Sequence, residues 1–306
     1  MARTCLETIN VRSDHAYNDS LHIYLGQVDR EIEVFIGRGG RETVAHSVQE
    51  DCSHKIAIMD RTPNGLSYIA RIITRWIAHR VYTKALQRSQ QDCFLLYQHL
   101  IRQDSLRGAA GWFFEGYTHD WFGNGGTFTT DEIPVTDTDS PCFVFSIEMS
   151  KTHQRNYFAS SANLASQVRV QGGHGIDKAI VGTYFLPLSS NNESFDGLVF
   201  TDIHTVVLFQ ITVAISHEIK PHGVKELVSA MPATIRNICI VFVVTEDRIG
   251  HYAKAQKIPD QAAVNPHGVN LRIRQFRLVF TNKEMQSVAM QESWKLSYHD
   301  DFNVDM

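Results

Sequence analysis

The sequence has few cysteines, and their spacing does not suggest a metal or disulfide site. Five cysteines occur among its 306 residues, an odd number without a Cys-x-x-Cys pair. A disulfide framework or a structural zinc site is therefore not expected, and a reducing compartment fits this composition. The five are Cys5, Cys52, Cys93, Cys142 and Cys239.

Long hydrophobic runs and an apolar leader are also missing. The apolar stretches Ile238–Val244 and Val206–Ile215 are far shorter than the roughly 20 residues that span a bilayer. The first residues, MARTCLETINVRSDHAYND, contain no apolar signal core. We therefore expect an intracellular protein without a membrane partner.

The chain lacks an excess of positive charge. It carries 29 basic and 33 acidic residues, for a net charge of −4. A protein that holds nucleic acid by bulk electrostatics is normally basic. Any contact with nucleic acid must therefore come from a local patch or from a metal-bridged site.

A phosphate-binding loop is lacking as well. The run GRGGRET at 37–43 is rich in glycine, but it does not end in Gly-Lys-Ser/Thr, and no helix signal follows it at the required place. We predict a turn here, and no nucleotide site.

The sequence from 105 to 306 has the pattern of an α/β domain. A helix is predicted at Leu106–Phe122 and a short helix at Pro221–Met231, each between strand-like segments. The polar stretch 148–178 is predicted to be an insertion or mobile loop. This order of elements is typical of a mixed sheet with helices on its faces. The other predicted elements are strands at Thr127–Ile133, Cys142–Ile147, Val181–Pro187, Phe195–Thr201, Thr205–Val213, Asn237–Val244 and Leu271–Phe280, and a helix at Arg248–Lys257.

Residues 1–104 are predicted to form a separate N-terminal segment. Short strand-like pieces occur at His22–Leu25 and Ile32–Ile36. Helical spacing of the apolar residues predicts helices at Leu66–Ala85 and Leu86–Gln103. The segment is therefore expected to be largely helical where it joins the α/β domain.

A predicted hairpin carries three polar residues in an apolar setting. Gln210 and Thr212 share one face of their strand, because strand side chains alternate. Counting back through a turn at Asp202-Ile203 places Asp196 across from Gln210, within one register step. An unpaired buried polar group costs about 1–3 kcal/mol, so these residues need either each other or a ligand.

The helix Leu106–Phe122 presents two different stripes. Phe113, Tyr117 and Trp121 recur every four residues and are predicted to face the core. Glu115 and His119 lie on another stripe; we expect Glu115 to point toward the hairpin and His119 to be a packed, hydrogen-bonded histidine.

The ordered series of short motifs resembles the nuclease-like C-terminal module of Crinkler and RHS-type effector proteins, within the PD-(D/E)XK nuclease superfamily. The similarity covers about Leu66 to Leu278. It rests on GAAGWFFEGYTH with GNGGTF after it, YFLP, FDGLV, LFQITVAISHEIK, IVFVV and RQFRL.

The resemblance implies a fold, a location and an activity. The fold would be restriction-endonuclease-like, preceded by a helical segment similar to the end of an ATPase module. The protein would act in the nucleus, with DNA or with host or self nuclear proteins as partners. The activity would be Mg²⁺-dependent cleavage of DNA.

Carried over by motif, the candidate catalytic residues are Glu115, Asp196, Gln210, Thr212 and Lys220, and the candidate Mg²⁺ ligands are Asp196, Glu115 and Gln210. The superfamily pattern has Glu-x-Lys where this chain has Gln210-Ile211-Thr212. A glutamine carbonyl can still bind a metal, and Lys220 or Lys225 is expected to replace the missing amine. The alternative is a catalytically inactive relative that binds DNA or protein.

Overall fold

A computed structural model describes residues 14–37, 57–61, 68–72, 74–88, 90–102, 107–135, 143–152, 155–170, 175–188, 194–258 and 271–290. The chain divides into two compact units, Met1–Gly116 and Tyr117–Met306. The point of division lies within a helix, whereas the sequence suggested a boundary after residue 104. The glycine-rich run at 37–43 lies outside the described residues beyond position 37.

The described part of the first unit is mainly helical. Tyr82 contacts Phe113 edge-on, with ring centroids 5.4 Å apart, and Tyr97 stacks on Phe114 at 6.4 Å. These buried aromatic pairs join three of its helices. Its elements are α1 (Asp14–Gly37), β1 (Ala57–Arg61), β2 (Tyr68–Ile72), α2 (Arg75–Arg88), α3 (Gln90–Ile101) and the first part of α4 (Arg107–Gly123).

The strand-like pieces predicted at His22–Leu25 and Ile32–Ile36 are wrong, because both lie within α1. Val28, Ile32 and Phe35 are buried at helical spacing, so one apolar stripe explains residues that individually favour strands. Although α1 has 24 residues, none of the helices in the described ranges combines the length and apolar character needed to cross a membrane.

The helix predicted at Leu66–Ala85 is partly wrong. Its first half contains β2, which pairs antiparallel with β1, and α2 starts only at Arg75. The sequence pattern of β2 gave no sign of its partner strand. At the start of α2, the Thr74 hydroxyl accepts a hydrogen bond from the Ile77 amide at 3.2 Å, a typical helix cap.

The described part of the second unit contains an eight-stranded mixed sheet, which confirms the α/β class. The strand order is β4-β3-β10-β9-β8-β7-β6-β5. β8, β9 and β10 run parallel in its centre, and the pairs β3–β4, β3–β10, β6–β7 and β7–β8 are antiparallel. The strands are β3 (Gly126–Glu132), β4 (Val144–Met149), β5 (Asn156–Phe158), β6 (Tyr184–Pro187), β7 (Gly197–Asp202), β8 (Thr205–Ile211), β9 (Asn237–Thr245) and β10 (Arg272–Phe280).

Helices cover both faces of this sheet. On one face, α5 (Ser161–Val168) and α6 (Pro221–Ala230) contribute Leu164 and Leu227 to a buried cluster that also contains Leu208 of β8. On the other face, the end of α4 places Phe122 against Phe209, with ring centroids 4.4 Å apart. Both faces of the central strands are therefore buried, as expected for parallel strands.

The described residues of the predicted insertion at 148–178 are instead largely part of the sheet and its core, whereas positions 153–154 and the glycine-rich positions 171–174 lie outside the described residues. The stretch holds the end of β4, then β5, then α5, and Phe158 and Val168 are buried. The helix predicted at Arg248–Lys257 is a 3₁₀ helix over Glu246–Tyr252. Both differences arise because short elements carry too few residues to establish a period.

We expect Phe122→Ala to destabilise the second unit by about 3–5 kcal/mol, because it removes a fully buried ring. Ile215→Ala, at a side chain that is 54% exposed, is the control and should change little. Urea unfolding of the whole chain measures both. Equal midpoints for the two variants would contradict the packing described here.

Candidate functional site

The hairpin β7–β8 positions the predicted polar residues. Asp202 pairs with Thr205, so Ile203 and His204 form the turn, one residue later than the sequence suggested. A bulge lies between Phe200 and Asp202. The Asp202 carboxylate accepts a hydrogen bond from the His204 amide at 2.6 Å and so stabilises the turn.

Asp196 and Gln210 contact each other across this hairpin, as predicted. The Gln210 side-chain Nε2 donates to Asp196 Oδ2 at 2.9 Å, and the Ile211 amide donates to the same oxygen at 2.7 Å. The Asp196 amide in turn donates to the Phe209 carbonyl at 2.7 Å. The carboxylate is therefore held at the entrance of the hairpin by side-chain and backbone donors together.

The pair lies at the margin of a buried apolar face. Gln210 is 8% exposed, and it lies beside Phe242 of β9 in the parallel pairing. Phe242 belongs to the buried cluster on the α6 side of the sheet. At this burial an unpaired amide or carboxylate would be costly, so the contact between Asp196 and Gln210 stabilises the fold.

Thr212 shares the face of Gln210 but has other partners. Its hydroxyl accepts from the Ala214 amide at 3.0 Å and hydrogen-bonds with the Tyr252 side chain. Tyr252 is fully buried in the same cluster as Phe242, which confirms the predicted face of Thr212. The polar residues of the hairpin thus form two small groups.

Burial raises the pKa of Tyr252 from 10.0 to about 12, and this effect exceeds the opposing hydrogen bond with Thr212 and the charge of Arg248. The folded protein therefore favours the neutral phenol.

The helix α4 reaches the sheet from the opposite side. His119 Nδ1 lies 2.8 Å from the Tyr184 hydroxyl, and the Tyr184 ring packs edge-on against Phe209. Phe209 and Gln210 are consecutive residues and point to opposite faces of β8. His119 is therefore separated from Gln210 by the sheet.

Glu115 and Lys220 are less well defined as site residues. Glu115 is partly buried and belongs to the first unit, so its predicted approach to the hairpin stays a prediction. Lys220 is exposed, and its backbone carbonyl accepts a hydrogen bond from the Ser194 hydroxyl at 2.6 Å. Lys225 is also exposed. The predicted replacement of the superfamily lysine by one of these amines stays untested.

A pocket of about 450 Å³, which the sequence did not predict, lies at the amino ends of the central parallel strands. Its lining residues are His204, Arg236, Asn237 and Arg272. They come from three separate segments that meet only through the parallel pairing of the strands. The available signal was weak, namely an arginine just before or at the start of two apolar strands.

Among the described residues, histidine, cysteine, aspartate and glutamate side chains form no group of three that could hold a metal ion. None of the protein-family models, curated proteins or solved structures compared with the chain matches it.

Asp196→Ala should lower the free energy of unfolding by about 2–4 kcal/mol, because two donors lose their common acceptor. Asp196→Asn keeps one acceptor oxygen, so it should lower the free energy of unfolding less than Asp196→Ala does. Glu226→Gln, at an exposed carboxylate of α6, is the control. Denaturant unfolding at neutral pH measures the series. An Asp196→Ala variant more stable than the wild type would instead indicate a strained functional carboxylate.

Tyr252 predicts a dependence of stability on alkaline pH. Because its pKa is raised to about 12 in the folded state, the phenol contributes stability below about pH 10, and this is lost as pH rises through about 12. Between about pH 8 and about pH 11, Tyr252→Phe should therefore lose less stability than the wild type. Cys239, whose pKa burial also raises to about 12, is present in both proteins and cancels. Equal losses of unfolding free energy in the wild type and in Tyr252→Phe would contradict this role of Tyr252.

Proposed function

We propose that this chain is a nucleic-acid-binding relative of the PD-(D/E)XK nucleases, in which the hairpin residues stabilise the fold instead of cutting DNA. Nucleic acid as the ligand follows from the motif resemblance. The proposal that cleavage is absent rests on one observation, the two hydrogen bonds that Asp196 Oδ2 accepts from Gln210 and Ile211.

These contacts do not fit a Mg²⁺ site. Magnesium is held by anionic or carbonyl oxygens in a near-octahedral arrangement. Here Gln210 turns its N–H group toward Asp196, since only the amide nitrogen can donate to a carboxylate. To bind a metal through both side chains, the glutamine amide would have to rotate. The Ile211 amide would also have to share or lose its acceptor.

Thr212 supports the same proposal. In the superfamily pattern, a lysine amine at this position helps to orient the nucleophile. Thr212 has no ionisable group, and its hydroxyl is engaged with Ala214 and Tyr252. A cleavage reaction would need its cation from another residue.

The function is tested with purified whole chain, short fluorescent DNA and supercoiled plasmid. We expect the DNA to be bound equally with Mg²⁺ and with chelator, because the contact does not pass through a metal. We also expect no chelator-sensitive nicking of the plasmid with Mg²⁺ or Mn²⁺. Asp196→Asn should bind DNA as the wild type does.

Gln210→Glu is the informative comparison. It places a second carboxylate beside Asp196, so it should destabilise the chain without metal, and Mg²⁺ should then stabilise the variant but not the wild type. Chelator-sensitive cleavage by the wild type that Asp196→Asn abolishes would overturn the proposal and support the metal-dependent effector nuclease. Absence of DNA binding would overturn it in favour of a protein-binding role.

A further inference from the structure

The pocket at the amino ends of the parallel strands is built by the pairing of β8, β9 and β10. Thr205 of β8 and Arg272 of β10 both pair with Asn237 of β9, so the three strands begin at one level. The Arg236 amide donates to the His204 carbonyl at 2.9 Å, and the Arg272 amide donates to the Arg236 carbonyl at 2.8 Å. The pocket walls are thus connected by backbone hydrogen bonds.

Two arginines of this pocket differ from the others in the second unit. Neither Arg236 nor Arg272 has a side-chain hydrogen bond or an ion pair with a described residue, and both are exposed. Every other arginine in the described part of this unit has a carboxylate or carbonyl partner. These are Arg155 with Asp120, Arg169 with the Ala230 carbonyl, Arg248 with Asp247, Arg274 with Glu132, and Arg277 with Asp131 and the Ile249 carbonyl.

Two carboxylates near this end of the strands have hydrogen-bond partners within the chain. Arg274 binds Glu132 through both carboxylate oxygens, with the Nε–Oε1 distance at 2.7 Å. Asp202 Oδ1 accepts from the His204 amide at 2.6 Å. Because no carboxylate of the described residues lies within ion-pair distance of Arg236 or Arg272, their positive charges are available to a ligand from outside the chain.

The remaining lining residues add polar groups with fixed orientation. The His204 ring donates from Nδ1 to the Thr234 carbonyl at 2.9 Å, because a carbonyl can only accept, and this fixes the ring. The Asn237 side-chain Nδ2 donates to the Thr205 hydroxyl at 3.2 Å. The side-chain carbonyl oxygen and the second N–H of Nδ2 are left for other partners. Guanidinium forks near imidazole and amide groups match the several acceptor oxygens of a phosphate.

We propose that this pocket binds a phosphate group of a nucleic acid strand, with Arg236 and Arg272 donating to its non-bridging oxygens. A volume of about 450 Å³ is in the range of ligand pockets and leaves room for the sugar attached to the phosphate. The inference rests on the proposed function. It identifies a local pair of positive charges through which a protein of net charge −4 binds negatively charged nucleic acid.

The test compares the double variant Arg236→Ala/Arg272→Ala with Lys257→Ala/Lys283→Ala, which removes the same charge at exposed positions of the same unit. Fluorescence anisotropy with short DNA, measured over a range of salt concentrations, reports the affinity. We expect the arginine variant to bind at least tenfold more weakly than the control. Its slope of log K against log salt should be lower by about 1–2. Arg236→Lys/Arg272→Lys should be intermediate, because lysine keeps the charge but loses the fork.

The other outcomes separate the two proposals. If Arg236→Ala/Arg272→Ala and the control Lys257→Ala/Lys283→Ala bind DNA with equal affinity, the proposal for the pocket is overturned and the proposed function stays intact. If the wild type does not bind DNA, both the proposed function and the proposed phosphate contact in the pocket are overturned. Calorimetry with inorganic phosphate and with a mononucleotide then shows whether the pocket takes a small phosphate ligand instead. Circular dichroism of each variant confirms that it is folded.

Discussion

The parallel pairing of β9 with both neighbours is the constraint on which the second unit depends. Residues 238–245 are all buried, and every one of them lies between a residue of β10 and, up to position 243, a residue of β8. Such a strand can exist only between two partners and two covered faces. Because these three strands run in the same direction, their amino ends lie together at one end of the strands and their carboxyl ends lie together at the other.

This constraint separates two groups of polar residues along the same strands. Gln210, Thr212 and Tyr252 lie at or beyond the carboxyl ends, where their hydrogen bonds are made within the chain. Arg236 and Arg272 lie at the amino ends, where they have no such partners among the described residues. The polar residues at the carboxyl ends thus have partners within the chain, whereas these two arginines at the amino ends are exposed and line a pocket.

The sequence predicted what depends on local periodicity and missed what depends on distant partners. Two-residue alternation placed Asp196 within one register step of Gln210, and the two residues are in contact although the turn lies one residue later, because the bulge before Asp202 offsets part of that shift. Helical spacing in α1 was mistaken for short strands, since Ile and Val favour strands when they are read a few at a time. The basic pocket could not be predicted without knowing that β8 and β10 both flank β9.

The order of the strands along the chain has a consequence for the newly made protein. β10 fits between β9 and β3, and its contact with β3 joins Phe276 to Glu132. Until Arg272–Phe280 has been synthesised, β9, whose residues 238–245 are all buried in the folded protein, lacks one of its neighbours and has an unpaired edge. Open apolar edges recruit other chains. In the newly made chain, the pairing of β10 with β9 therefore closes the edge at which two copies would otherwise pair.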